Sequence, residues 1–487
     1  MLLNGRMAQQ PLPPFLPISA LSVELESFAC ISAAIQAGFA DARATFECSF
    51  PAIPSDVGFL VLAGLEPLVE ALERFKLKSD DLAWLDSVGL LDGATFEKLS
   101  TMRFACDVDA PPEGTLVFPG EPVLTIEGPF WQAQLMATLV RGALTTPTLV
   151  ATRAARLALA AAPAEIVDAS SVAAHRLGGN PLLARAAFVG GAGGTTSALA
   201  ARRYRIPVRA SMPHTYALGA PDVERGIVAF SRAMRDRPVL RLDPRSPLTA
   251  LSSIVSALKK RGASHYAKGD VSIEIASGDY AELAKATFDA FRAGGLPEPT
   301  LVASGDLDER RIAELALRKC RFSSFVVRTL HVDDPAWLAT YDLVAIDRDG
   351  QWAPRIRVDR SSTTSSDPGR KVVVRYFDEA GSPVCDVAHA TRERISGLDV
   401  RFVERATGLP TRVHAKTSAP LFVGVMRQGR RVQAAEPART IRDRVQKGLK
   451  ALGERYRRLA GPDLYPVGAT TQLLEVKQAL LEQARGA

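Results

Sequence analysis

The sequence has few cysteines, and none of them form a C-x-x-C pair. The five are widely spaced: Cys30, Cys48, Cys106, Cys320 and Cys385. An odd number without metal-ligand spacing argues against a disulfide framework or a zinc site and fits a reducing compartment. No apolar stretch reaches the roughly 18 residues of a transmembrane helix, and residues 1–19 lack the apolar region of a signal peptide. We therefore expect a cytoplasmic protein without a membrane partner.

A strong charge of one sign is missing as well. The 60 Lys and Arg residues exceed the 53 Asp and Glu residues only slightly, for a formal charge of +7 over 487 residues. This balance suits acidic small molecules better than nucleic acid. Residues 438–459 concentrate arginines on a helical pattern, but they lack an aromatic platform for stacking bases, so a solvated helix face is the favoured interpretation. A chain of this length should fold into two or three units.

Short apolar runs, each separated from the next by about one helix, dominate the middle of the chain. There are seven, at residues 165–168, 187–190, 206–209, 239–242, 272–275, 300–303 and 324–327. Repeated βα units of this length predict a parallel sheet with crossover helices, and seven in succession favour a closed or nearly closed barrel.

Polar or glycine-rich segments follow these runs. Among them are Ser277-Gly278-Asp279, which leads into the helical pattern 280–290, Ser304-Gly305-Asp306, and 211–215 with His214. In a parallel barrel such segments lie at the carboxyl ends of the strands, where ligand sites are built. A Ser-Gly-Asp turn at a helix N-terminus suits a phosphate-bearing ligand or its metal, although the same three residues also cap ordinary helices.

The flanking regions predict mixed α+β structure. Residues 1–20 are Pro-rich and predict a loose arm. Helical spacing covers 21–37, 65–75 and about 131–160, and a strand is expected at 45–50. Turn residues between short apolar runs at 104–126 predict an antiparallel meander, and 371–381 predicts a hairpin arm and turn.

Ordered motifs give the chain a family resemblance. They are Ala44-Thr45-Phe46-Glu47, Ala63-Gly64-Leu65-Glu66, Pro112-Glu113-Gly114-Thr115, Glu121-Pro122, Glu127-Gly128-Pro129, 151–156, 185–191, Ser211-Met212-Pro213-His214, Ser277-Gly278-Asp279, 304–309 and Pro368-Gly369-Arg370-Lys371. In this order they resemble the nicotinate phosphoribosyltransferases of NAD salvage. The resemblance implies an incomplete seven-stranded (β/α) barrel at 141–344. It also implies an α+β domain built from both chain ends, 21–140 and 345–487, and a homodimer.

The resemblance also implies an activity and its residues. The family transfers phosphoribosyl from phosphoribosyl diphosphate to nicotinate, releases diphosphate, and couples this to ATP hydrolysis through a phosphorylated histidine. His214 matches that histidine. Asp243 and Asp279 match acids expected at the ribose, the diphosphate or Mg²⁺. The remaining expected substrate contacts are Arg185, Ser277, Gly278, Ser304 and Thr329, although Arg185, expected on a strand, could equally form a structural ion pair.

Several positions depart from the family pattern. Ala276 replaces the first acid of the Asp-Ser-Gly-Asp turn, and Ser246 replaces the second acid of the Asp243 pair. Val326-Val327-Arg328-Thr329 stands where the family has a Gly-Val-Gly-Thr phosphate loop, and side chains there obstruct a cradle of bare backbone. Further changes are Glu26 for an aromatic residue, Pro51 for an arginine, and 168–174 for an arginine-containing run.

Two functional hypotheses follow. In the first, the chain is a phosphoribosyltransferase with a rebuilt site, in which His175, Arg176 or Arg328 replaces lost cations. In the second, it is a non-catalytic paralogue that serves as a binding or regulatory partner, since a fold can be retained after catalysis is lost. The retained His214, Asp243 and Asp279 favour the first hypothesis, whereas Ala276, Ser246, Val326 and Arg328 favour the second.

Overall fold

A computed structural model describes residues 19–89, 91–170, 180–235, 237–328, 330, 338–358, 365–395 and 397–486. Nearly all of the predicted N-terminal arm, together with Thr329, His175 and Arg176, lies outside these residues. Within them, no helix is both long and apolar enough to cross a membrane.

The N-terminal part has the expected helices and first strand with different bounds: the strand expected at 45–50 spans 43–49, and the helix expected at about 131–160 is divided in two at Met136. Its elements are α1 Leu25–Gln36, β1 Arg43–Ser49, β2 Leu60–Val61, α2 Leu65–Glu73, α3 Ser79–Ser87, α4 Gly93–Ser100, β3 Asp107–Ala110, β4 Leu116–Val117, β5 Pro122–Pro129, α5 Phe130–Leu135 and α6 Ala137–Ala161. The predicted meander at 104–126 is wrong in its pairing. β3 pairs with β5, but β4 leaves that sheet and pairs with β2.

The middle of the chain forms a parallel sheet with helices between its strands. Its elements are β6 Glu165–Asp168, α7 Pro181–Gly190, β7 Gly194–Thr195, α8 Ala198–Tyr204, α9 His214–Gly219, α10 Val223–Ala233, β8 Val239–Arg241, α11 Pro247–Arg261, a 3₁₀ turn Ala263–His265, β9 Ser272–Ile275, α12 Tyr280–Ala293, β10 Thr300–Ala303, α13 Glu309–Leu317 and β11 Phe322–Val327. The six strands follow the order β7-β6-β11-β10-β9-β8. The first and last of them in the chain, β6 and β11, are therefore neighbours, as in a barrel.

Two of the seven predicted strands, 187–190 and 206–209, are not strands in the structure. Residues 187–190 are the end of helix α7, and Arg185 lies on that helix rather than on a strand. A short apolar run cannot by itself distinguish a buried strand from a buried helix, and α7 is buried along most of its length. The strand next to β6 is instead β7, which follows α7 in the sequence. The run at 206–209 contributes a single parallel bridge between Val208 and Thr195.

The C-terminal part contributes strands to the sheet of the N-terminal part and also forms a separate sheet. Its elements are β12 Thr340–Arg348, β13 Gln351–Pro354, β14 Lys371–Phe377, β15 Pro383–Ala390, β16 Asp399–Glu404, β17 Pro410–His414, β18 Thr417–Pro420, β19 Val423–Arg427, β20 Arg430–Arg431, α14 Ala438–Ala451, a 3₁₀ turn Glu454–Tyr456, β21 Val467–Ala469 and α15 Thr471–Gly486. β12 crosses the predicted domain boundary at 344/345 and pairs antiparallel with β1. The predicted hairpin is confirmed by the β14–β15 pair.

Strands from the two chain ends share one sheet, in the order β13-β12-β1-β5-β3-β19-β20, while β17-β16-β21-β15-β14-β18 form another. The arginine-rich helix α14 buries Ala438, Ile441, Val445 and Leu449 in the same apolar core as the parallel sheet. One face of this helix is therefore packed, and its arginines occupy the remaining surface.

Candidate functional site

The carboxyl ends of the parallel strands bring most of the predicted site residues to one edge of the sheet, which we call the barrel mouth. Asp243 follows β8, the turn Ser277-Gly278-Asp279 follows β9, and Ser304 follows β10. Because β8, β9 and β10 are adjacent and parallel, the segments that follow them are neighbours. The barrel mouth is defined here by the residues after β6 to β11.

The turn after β9 has the predicted strand-turn-helix form. Gly278 has a φ of +89°, which favours glycine, and Asp279 begins helix α12 by accepting the backbone N–H groups of Ala281 (2.8 Å) and Glu282 (3.1 Å). Arg318 donates to its other oxygen at 3.3 Å. The N–H group of Glu282 is the main cause that lowers the pKa of Asp279, with further contributions from Ala281 and Arg318. Helix capping is thus one role of Asp279.

Asp243 is held by a neighbouring arginine. Arg245 donates its backbone N–H (2.9 Å) and Nε (3.1 Å) to Oδ1 and Nη2 (2.8 Å) to Oδ2. These bonds, the side-chain bond first, lower the pKa of Asp243 to about 2, and His214 adds an electrostatic contribution of the same sign. His214 is the first residue of α9, half-buried, and within electrostatic range of this carboxylate. His214 therefore lies near enough to Asp243 to act on its charge, without a hydrogen bond between them among the described contacts.

Ser304 belongs to a polar network that sequence reasoning missed. Its Oγ donates to Glu274 Oε1 at 2.5 Å, and its carbonyl accepts the hydroxyl of Tyr280 at 2.6 Å. Arg241, on β8, donates Nε to the same Glu274 oxygen at 2.9 Å and makes a second bond to it through Nη2. The signal in the sequence was a charged residue inside each of two otherwise apolar strands, 239–242 and 272–275.

Arg185 lies in a buried ion pair on the side of α7. Its Nη1 and Nη2 donate to the two carboxylate oxygens of Glu113 at 2.5 and 3.1 Å, and Glu113 also accepts the N–H groups of Gly64 and Glu66. Burial opposes both charges, yet Glu113 raises the pKa of Arg185, and Arg185 lowers the pKa of Glu113. The structure therefore shows Arg185 in a structural ion pair, which was the alternative to a substrate contact. This pair joins the parallel sheet's helix to the N-terminal part.

The substituted positions are part of the same edge. Ala276 follows β9. A Cβ atom added to Gly305 would lie 2.5 Å from the carbonyl oxygen of Ala276, so the turns after β9 and β10 are in contact here. Gly305 also has a φ of +107°. Val326 is half-buried in β11, and Arg328, just beyond that strand, is exposed.

Asp168, at the end of β6, is held by hydrogen bonds within the protein. It is fully buried and accepts the N–H of Ser170 at 3.0 Å, the Ser170 hydroxyl, and the Thr195 hydroxyl at 2.8 Å. The bond from Thr195 connects β6 to β7, whereas the bonds from Ser170 are local. The predictions for Thr329, His175 and Arg176 concern residues outside the described part of the chain.

The residues present do not fit a resident magnesium ion. Asp243 and Asp279, the expected ligands, both have an arginine on the carboxylate. Across the described ranges, no cluster of three or more His, Cys, Asp or Glu side chains could hold a metal. Since Mg²⁺ in phosphoryl chemistry is commonly bound by substrate phosphates and water, a magnesium ion here would belong to the substrate.

Chemically, the barrel mouth offers hydrogen-bond donors, arginines and a histidine beside a carboxylate. Exposed arginine pairs can be exchanged for phosphate oxygens, because both provide charge-assisted hydrogen bonds. An imidazole within range of a carboxylate can act as a nucleophile or base near neutral pH.

Comparisons with known proteins identify the family of this chain. Residues 24–141 match the nicotinate phosphoribosyltransferase (NAPRTase) N-terminal domain, and residues 370–477 match the C-terminal domain. A nicotinate phosphoribosyltransferase of Mycobacterium tuberculosis is 31% identical over 437 residues, covering 88% of this chain and 87% of that protein. One of Bacillus subtilis is 28% identical over 447 residues, covering 88% of each chain. The crystal structure of human nicotinic acid phosphoribosyltransferase superposes with a TM-score of 0.79 at 24% identity, covering 94% of this chain and 99% of that one. This chain therefore belongs to the nicotinate phosphoribosyltransferase family.

Proposed function

We propose that this protein transfers phosphoribosyl from phosphoribosyl diphosphate to nicotinate or a related pyridine base, in NAD salvage. The observation that carries the proposal is the grouping of His214, Asp243 and the Ser277-Gly278-Asp279 turn at one edge of a parallel sheet, in a chain 31% identical to a nicotinate phosphoribosyltransferase along most of its length. Such an edge is where ligand sites are built.

In this reaction the ring nitrogen of the base attacks C1 of the ribose, and the bond from C1 to the diphosphate oxygen breaks. Diphosphate leaves with the bonding electrons, so negative charge develops on it. We assign the N–H groups and Ser277 hydroxyl of the turn after β9 to diphosphate, and Asp243 to the ribose hydroxyls, which requires Arg245 to move aside. Mg²⁺ enters with phosphoribosyl diphosphate as part of the substrate. Thr329 and Ser304 remain proposed substrate contacts.

His214 provides the proposed link to ATP. Its imidazole would attack the terminal phosphorus of ATP and displace ADP, and the nearby Asp243 carboxylate stabilises the cationic ring that results. The phosphorylated histidine then transfers its phosphoryl group to water. ATP is therefore a co-substrate of this proposal.

We also propose the finer architecture that the resemblance implies. The parallel bridge of Val208 to Thr195, and the bond from the Met212 N–H to the Val239 carbonyl at 2.8 Å, support a seventh barrel position between β7 and β8. A homodimer in the cytoplasm completes the proposal.

A second candidate function is a non-catalytic partner. It is favoured by Ala276 and Ser246, which remove two acids, and by arginine pairing of the two acids that remain. In that case the protein would keep its fold without turnover.

The deciding experiment incubates the purified chain with phosphoribosyl diphosphate, Mg²⁺, ATP and nicotinate, and measures mononucleotide and diphosphate. We expect both products in equal amounts. His214→Ala should abolish the stimulation by ATP while leaving slower, ATP-independent transfer. The matched control is His265→Ala, because His265 lies in the 3₁₀ turn before β9, away from the barrel mouth.

Absence of product, together with no heat of binding for phosphoribosyl diphosphate, would contradict catalysis and favour the second candidate. Unchanged ATP stimulation in His214→Ala would contradict only the role given to this histidine.

A further inference from the structure

Glu274 is a fully buried carboxylate on the inner side of the parallel sheet. Its strand neighbours Ile273 and Ile275 pack in the apolar core together with residues of α11, α12 and α13. Since successive side chains of a strand point to opposite faces, Glu274 points away from those helices. Arg241 and Ser304, its partners, come from the adjacent strand β8 and from the end of β10. Glu274 therefore lies inside the sheet, next to the barrel mouth.

The two oxygens of this carboxylate have different environments. Oε1 accepts from Arg241 Nε at 2.9 Å, from Arg241 Nη2, and from Ser304 Oγ at 2.5 Å. Oε2 is buried and accepts no hydrogen bond from any residue that the structure describes. Buried carboxylate oxygens are ordinarily satisfied, because desolvation without a donor is unfavourable. Glu274 Oε2 is thus an acceptor in need of a donor.

Four arginines of the parallel-sheet region are already paired with carboxylates. Arg241 is paired with Glu274 itself, and Arg209 is paired with Glu165 through bonds of 2.9 to 3.2 Å. After the strands, Arg245 is paired with Asp243 and Arg318 with Asp279. Arg328 is exposed and forms no ion pair with a described residue. A base that carries its own carboxylate would therefore meet a buried negative charge without a spare buried cation among these described arginines.

We propose that Glu274 is a specificity-determining residue that selects a neutral pyridine base with an amide N–H donor over the corresponding carboxylate. The donor bonds to Glu274 Oε2, whereas a carboxylate there is repelled by like charge. The inference rests on the proposed function, since it concerns the base accepted at the same site. Bond making and breaking are the same for both bases: the ring nitrogen bonds to C1, and diphosphate leaves.

The experiment compares two bases of nearly equal shape, pyridine-3-carboxamide and pyridine-3-carboxylate. Each is incubated with the full chain, phosphoribosyl diphosphate, Mg²⁺ and ATP, and kcat/KM is measured from diphosphate release. We expect the amide to be preferred by at least about tenfold, because a site with a buried hydrogen-bonding group discriminates strongly against a ligand that leaves it unpaired. Equal use, or preference for the carboxylate, would overturn the proposal.

Two variants identify the residue responsible. Glu274→Gln keeps the side-chain shape but supplies an N–H donor, so the amide preference should fall by about tenfold or more. Glu113→Gln is the matched control, since Glu113 is also buried and paired with an arginine but lies between β3 and β4, outside the parallel sheet. The preference ratio does not depend on the fraction of folded protein. An unchanged ratio in Glu274→Gln would overturn the proposal, as would an equal change in Glu113→Gln.

Failure of the proposed function would be recognised separately. If neither base releases diphosphate, calorimetric titration of each base in the presence of phosphoribosyl diphosphate and Mg²⁺ decides the question. Binding of the amide with at least a tenfold lower Kd than the carboxylate, lost in Glu274→Gln, supports the inference without catalysis. Equal binding of both bases, tighter binding of the carboxylate, or no binding of either overturns it.

Discussion

Two regions of this molecule contain arginine–carboxylate pairs in opposite environments. At the barrel mouth, the side chains of Arg245 and Asp243 are 67% and 29% exposed. In the C-terminal sheet, where Arg375 also donates to the carbonyl of Leu116 on β4, the side chains of Arg375 and Asp386 are only 9% and 0% exposed; we call this region the seam. The same chemical pair therefore lies in water in one region and in the interior in the other.

The difference separates exchangeable pairs from permanent ones. An exposed ion pair contributes about 0–1 kcal/mol, so a phosphate or hydroxyl can replace one partner at little cost. Removing one partner of a buried pair strands a charge in the interior, which costs about 3–5 kcal/mol. The barrel mouth can thus be rearranged by a ligand, whereas the seam cannot.

The largest expected effect comes from breaking the seam. Asp386 accepts Arg375 Nε at 2.8 Å and Nη2 at 2.6 Å, and the Tyr465 hydroxyl at 3.2 Å. Asp386→Asn removes the carboxylate that is hydrogen-bonded to buried Arg375 and leaves only Glu121, at 3.8 Å, to offset the arginine's charge, so the free energy of unfolding should fall by up to about 3–5 kcal/mol. Denaturant-induced unfolding measures this loss.

The matched control for Asp386→Asn is Asp399→Asn, which breaks an exposed pair with Arg412. Because this pair is exposed, Asp399→Asn should lower the free energy of unfolding far less than Asp386→Asn does. Equal losses in the two variants would show that burial does not distinguish the pairs.

The second expected effect concerns pH at the seam. Glu121 is buried, and burial, followed by the negative charge of Asp386, raises its pKa well above the ordinary 4.5. The folded state then holds a proton that the unfolded state has released, so stability decreases as pH rises above about 4.5 toward the folded-state pKa. One such group contributes a slope of about −1.4 kcal/mol per pH unit.

Glu121→Gln removes this titration. Unfolding free energies measured between about pH 5 and 7 should therefore fall less steeply with pH in the variant than in the parent chain. Parallel pH profiles would show that Glu121 is already ionised in the folded protein.

The smallest effect on stability is expected at the barrel mouth. Arg245→Ala removes an exposed partner and should leave the free energy of unfolding almost unchanged. The pKa of Asp243 should rise from about 2 toward its ordinary value of 3.8, because the side-chain bond from Arg245 is the main cause of the shift. NMR titration of this carboxyl measures the change, and an Asp243 pKa that stays near 2 would contradict the assignment.

The sequence predicted those elements whose pattern and flanking turns agree. β9 and its Ser277-Gly278-Asp279 turn are an example, because a β-branched run ends at residues that can adopt a tight turn and cap a helix. Residues 187–190 show the limit. Four apolar residues fit a strand and a buried helix equally well, and the helix start at Asn180, whose side chain accepts the Leu182 N–H, lies seven residues earlier.

Within the candidate site, the positions were predictable but their partners were not. Asp243 and Asp279 stand after strands, as expected, yet their pairing with Arg245 and Arg318 depends on side-chain conformation and on long-range packing. The network of Arg241, Glu274 and Ser304 joins three strands that are far apart in sequence. Only the order of strands in the sheet shows that these residues meet.

The pairing of β1 with β12 has a consequence for biosynthesis. Ser49 and Thr340 form a hydrogen bond across a separation of 291 residues. A chain leaving the ribosome therefore completes β6 to β11 before the strand that finishes the first sheet exists. Until β12 has been made, one edge of β1 is unpaired. Closing the long loop between β1 and β12 is slow. The strands of the parallel sheet all lie between β1 and β12 in the sequence, so they are complete before the first sheet can close.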